Sequence, residues 1–180
     1  MLSITIPEQE FWDDRKQEFV SVKEQTIRLE HSLVSLSKWE SKWHKPFLSK
    51  QGMTTEETID YIKCMTLTQN VPNNVYYALT QENVEEVTKY IQNPMTATTF
   101  GPSHSNKRNT EIITSEVIYY WMIALNIPFE CQKWHLNRLL TLIQVCNIKN
   151  QPAKKMSKSA LMARNKALND ARRKQFHTKG

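Results

Sequence analysis

Cys131 and His135 stand four residues apart, a spacing that on a helix puts a thiolate and an imidazole on one face, where a metal ion can bridge them. A tetrahedral centre needs two further ligands. The next thiol along, Cys146, would lie about 22 Å from Cys131 by the helical rise, too far to complete the set. Cys64, Cys131 and Cys146 are an odd number, widely spaced among apolar neighbours, and read as reduced core thiols rather than a disulfide framework. His31 and Ser32, beside Glu30, suggest an imidazole activating a hydroxyl. Adjacent side chains on a strand or helix point in different directions, so that pairing fails on geometry. The expected role of Ser32 is to start a helix, next to a surface or half-buried histidine.

With three glycines in the chain, Gly52, Gly101 and Gly180, there is no nucleophile elbow, phosphate-cradling loop or dinucleotide fingerprint. The sequence therefore predicts no catalytic residue, no cofactor, no metal and no enzyme.

What is left is chemistry of contact. Trp39, Trp43, Tyr119, Tyr120, Trp121 and Trp134 are interleaved with Lys38, Lys42, Lys45, Lys133 and Arg138, a mixture able to stack bases. At helical spacing the same rings serve as core or interface anchors. Trp39 and Trp43 are the candidates for a partner surface, and Lys38, Lys42 and Lys45, alternating with Glu40, read in part as a solvated helix face.

Charge divides the chain more sharply. Residues 149–180 hold ten Lys or Arg against one acid, Asp170, and so carry +9, whereas residues 1–148 carry −3. A single-sign segment stays solvated and is drawn to an oppositely charged partner. Lys154, Lys155, Lys158, Arg164, Arg172, Arg173 and Lys174 are its candidate contact residues. An acidic or amphipathic protein partner suits them through steering. Phosphates suit them too, although no sequence-reading nucleic-acid module accompanies the cations.

The elements that must position these groups follow from periodicity. Leu2, Ile4 and Ile6, then Ile27 and Leu29, alternate as strands, and residues 8–18 fit either a loop or a short helix. Leu33, Leu36, Trp39 and Trp43 predict a helix ending near Pro46. Thr54 with Glu57 matches a capping box for a helix to about Leu67, and Pro72 opens a short turn. Thr80 caps a helix that Asn93 and Pro94 stop. Residues 95–110 form a long connection, either mobile or used for binding. Thr110 or Thr114 caps a helix broken at Pro128, and a strongly apolar helix from near Phe129 to Ile148 is expected at the centre of the domain. Beyond a linker around Pro152, Ser157 or Ser159 caps a last helix to about Gln175, too polar to be stable by itself. The expectation is a mainly α protein: a compact helical domain with a small N-terminal β element over residues 1–148, and a basic linker and helix over 149–180. No stretch reads as a membrane span or a secretory signal.

Two phrases, Leu29-Glu30-His31-Ser32-Leu33-Val34-Ser35-Leu36-Ser37-Lys38-Trp39-Glu40-Ser41-Lys42-Trp43 and the run from Ile118-Tyr119-Tyr120-Trp121 to Trp134-His135-Leu136-Asn137-Arg138-Leu139-Leu140, together with Ala171-Arg172-Arg173-Lys174-Gln175, resemble proteins of the tail gene cluster of long-tailed bacteriophages, most of all the tail assembly chaperones. The resemblance implies a small helical, non-enzymatic protein of the host cytoplasm. It would coat the tape measure protein, or another tail protein, and give way as tail tube subunits polymerise. It also leaves room for a baseplate assembly factor or minor virion component. Apart from the resemblance, the cationic tail offers a nucleic-acid-binding regulator as the alternative function, and a homo-oligomer is left open.

Overall fold

The computed structural model describes residues 1–13, 17–49, 52–100, 112–150 and 157–177. They fall into two compact units, Met1–Asn147 and Ile148–Gly180. The chain is mainly α with a small N-terminal β element. Among the described residues no helix is long and apolar enough to cross a membrane.

In the first unit, β1 (Leu2–Ile6) pairs antiparallel with β4 (Gln25–Leu29), Ile4 opposite Ile27. Ile4, Ile6, Ile27 and Leu29 are buried, as the two-residue alternation requires. The segment that fitted either a loop or a helix is a hairpin, β2 (Gln9–Asp13) against β3 (Glu18–Val22). Its cross-strand pair Trp12 and Phe19 stacks edge to face at 5.0 Å.

Helix α1 (Leu33–Trp43) begins in a capping box: Ser35 N donates to Ser32 Oγ, and Ser32 N to Ser35 Oγ. It stops at Trp43, before Pro46, because His44 turns left-handed with φ 53° and returns its N–H to Glu40. The Thr54 and Glu57 capping box opens α2 (Thr55–Met65), and α3 (Asn73–Tyr77) is one short turn after Pro72. Thr80 caps α4 (Gln81–Gln92), which ends at Asn93. α5 (Ser115–Ala124) follows Thr114, whose side chain makes no capping bond.

The expected helix from Phe129 is interrupted. A 3-10 turn, Phe129–Lys133, gives way at extended Trp134, and α6 runs Leu136–Asn150. The cause is long-range: the backbone around His135 bridges to Ser32, and Leu136 N donates to the carbonyl of His31 at 2.7 Å. Nor is α6 central. It buries Leu136, Leu139 and Ile143 fully, while Leu140, Leu142, Val145 and Cys146 remain half-buried.

Two apolar clusters result. The first joins the β1–β4 strands, α2, α3 and α4 to Trp39; the second joins Leu33 and Leu36 to Ile118, Met122, Leu136, Leu139 and Ile143. Helix α1 supplies both. In the second unit, α7 (Lys158–Phe176) is capped by Ser157, whose Oγ accepts from Ala160 N, and none of its residues is buried.

Candidate functional site

The two tryptophans expected at a partner surface part ways. Trp39 is 2% exposed, and its Nε1 donates to the carbonyl of Glu57 at 2.9 Å. Tyr61 and Phe47 meet the ring edge-on. Trp39 is core, so its expected role at a partner surface is corrected: the helical spacing that marked it as an anchor points it inward. Trp43 is half-buried, stacks on Trp39 at 6.3 Å, and donates Nε1 to Asp60 Oδ2 at 2.9 Å.

The lysines beside them are partnered rather than merely solvated. Lys42 binds the Asp60 carboxylate and Lys45 that of Glu57, and both ammonium groups lie within 6 Å of the Trp43 ring. The Lys45 hydrogen bond, with the Thr54 backbone, holds the Glu57 carboxyl below the usual carboxylate range. The α1–α2 seam is thus a structural lock with one aromatic face left partly open at Trp43.

Glu40, read with these lysines as part of a surface, is buried. Its Oε1 accepts from Phe47 N at 2.9 Å and its Oε2 from Ser115 N at 2.7 Å. It does for α5 what Thr114 was expected to do, supplying an acceptor and a negative charge at the helix N-terminus.

A second polar cluster was not foreseen from the sequence. His31 and His135, both buried, meet edge to face. His31 Nδ1 is 2.6 Å from Tyr61 Oη, and His135 Nε2 donates to the carbonyl of Tyr90 at 3.0 Å. Tyr90 Oη in turn donates to Glu30 at 2.7 Å. Burial, with the neighbouring imidazole of His135 adding to it, lowers the His31 pKa to about 3. Burial also lowers that of His135 and raises those of Tyr61 and Tyr90. These are neutral hydrogen-bonding groups, and His135 Nδ1 has no partner among the described residues. Ser32 remains a helix cap. Cys131, in the 3-10 turn, and His135 do not share a helix, and among the described residues no three His, Cys, Asp or Glu side chains are grouped to hold a metal.

The tail candidates form a separate set. Lys158, Arg164, Arg172, Arg173 and Lys174 all lie on α7 and are exposed; Lys154 and Lys155 lie outside the described residues. Cations at Arg173 and Lys174 also suit the negative end of the helix. Leu161 and Leu168, seven apart, are 46% and 47% exposed, and Ala160, Ala167 and Ala171 fall beside them by helical spacing. Helix α7 is a basic rod with a narrow apolar stripe, on which Arg164 falls between Leu161 and Leu168.

Comparison of the chain with protein-family models, curated proteins and solved structures finds no match.

Proposed function

We propose that this chain is a binding protein that uses α7 to take hold of an acidic, amphipathic helical partner, in the manner of the tail assembly chaperones its sequence resembles. The carrying observation is α7 itself: nineteen residues, capped, none buried, with six Lys or Arg against Asp170. Such a helix is marginal in isolation and gains most when a partner covers its apolar stripe. The client under this reading is the tape measure protein, held soluble in the host cytoplasm until tube subunits replace the chaperone. Opposite charge brings the two together, and apolar contact sets how long they stay.

Co-expression with a tape measure protein tests it. The intact chain should raise the soluble fraction of the client and be retained with it. An Arg172→Glu/Arg173→Glu/Lys174→Glu variant with unchanged body stability should do neither. Equal retention of both forms, or no gain in client solubility with either, would refute the proposal. Retention of nucleic acid instead, weakening steeply between low and moderate salt, would favour a phosphate-binding tail.

A further inference from the structure

In the first unit, an open groove of about 320 Å³ runs between α2 and α4, walled by Met53, Ile59, Tyr76, Leu79 and Val84 together with Thr55, Thr58, Thr80 and Gln81. No side chain lining it is charged. It shares Thr55, Ile59 and Tyr77 with a neighbouring depression of about 410 Å³ that reaches Lys42, Glu56, Asp60 and Lys63. Tyr77 stands between the two and is 57% exposed. An uncharged, partly apolar trough of this kind accepts an amphipathic helix through anchors spaced at i and i+7.

The charges around the trough choose among helices. Lys42 is bound to Asp60, and Lys63 lies over the rings of Tyr77 and Tyr76, at 5.1 and 5.4 Å. Glu56 stands on the α2 side. On the α4 side Glu82 and Glu85 are exposed, and Glu85 accepts from Gln81, itself part of the wall. Lys89 follows one turn later, so the first two turns of α4 are acidic. The fitting occupant is a basic helix with a narrow apolar stripe, and this chain carries one. On α7, Leu161 and Leu168 have the required spacing, Ala171 continues their face, and Arg164 and Arg172 stand one turn from Leu168 on either side along it. The first unit and the tail also carry net charges of opposite sign.

We infer that the α2–α4 groove receives α7 from a second copy of this chain, so that without a client the protein self-associates by tail-to-groove exchange. The contact hides the stripe that would otherwise be bare, and a client must displace it. The inference stands apart from the proposed function because it is tested on the chain alone.

The test is charge exchange. The mass of the intact chain in solution should rise from monomer to dimer or beyond between about 1 and 100 µM at low salt, and fall back as salt screens the pairing. A groove variant, Glu56→Lys/Glu82→Lys/Glu85→Lys, and a tail variant, Arg164→Glu/Arg172→Glu/Lys174→Glu, should each be monomeric across that range with helical content kept. Mixed one to one, they should recover a heterodimer, because each reversed surface now matches the other. A Leu161→Asp/Leu168→Asp chain should also be monomeric and should not be recovered by the tail variant, since neither of the two then offers an intact tail. An intact chain that stays monomeric at 100 µM, or association that survives both reversals, overturns the inference. So do monomers whose thermal stability tracks both charge sets, since each chain would then fill its own groove.

Discussion

His31 and His135 pack edge to face with ring centroids 5.1 Å apart, each nearly sealed from water although 104 residues separate them in sequence. Burial holds both imidazoles neutral, with the folded pKa of His31 near 3. Above the ordinary histidine value near 6.5 neither the folded nor the unfolded chain is charged there, and stability is flat. Below it the unfolded chain takes up protons that the folded chain refuses, so stability falls as pH falls. The loss from His31 is about 1.4 kcal/mol per pH unit, or about 3 kcal/mol at pH 4.5, and His135 adds to it in the same direction. Urea denaturation from pH 7.5 to 4.5 should show this slope, and His31→Asn should flatten it. A stability that is level across the range would contradict the neutral pair.

Glu40 accepts from two backbone N–H groups, Oε1 from that of Phe47 and Oε2 from that of Ser115. Truncation to alanine strands both donors, and Glu40→Ala should cost about 3 kcal/mol. Glu40→Gln keeps one carbonyl oxygen and should lose about half as much. Equal losses for the two would mean that side-chain volume, not the paired acceptors, matters at this position.

Leu139 is wholly buried, and its neighbour Leu140 is only half covered. Leu139→Ala should therefore destabilise the first unit by about 2 to 5 kcal/mol, and Leu140→Ala by clearly less. Thermal melts of the two variants separate them.

Helix starts give a fourth comparison. Thr54 accepts from Glu57 N at 3.2 Å, so Thr54→Ala should lose about 1 kcal/mol. Thr114 makes no such bond, and Thr114→Ala should change stability by no more than a few tenths of a kcal/mol. A large effect at Thr114 would show that Glu40 does not suffice to start α5.

These comparisons mark how far the sequence could be read. The Ser32, Thr54, Thr80 and Ser157 caps, the Ile4 and Ile27 alternation and the mainly helical class follow from neighbours within four residues, and each was legible. The break between Phe129 and Leu136 was not, because its cause is pairing with His31 and Ser32, far away in the chain. The burial of Glu40 and Trp39 is hidden in the sequence for a related reason. Glu40 sits among lysines on a helix and betrays nothing of the N-terminus of α5 that it meets. Trp39 and Trp43 share one spacing, and only tertiary packing distinguishes a ring inside from a ring at the edge. The histidine pair left no signal in spacing at all.

Helix α1 lends Trp39 to one apolar cluster and Leu33 with Leu36 to the other. Neither half of the first unit should therefore fold without the other, since each would be missing a wall. Melting should pass through one transition, and evolution can tinker with this architecture only where α1 is left in joint ownership.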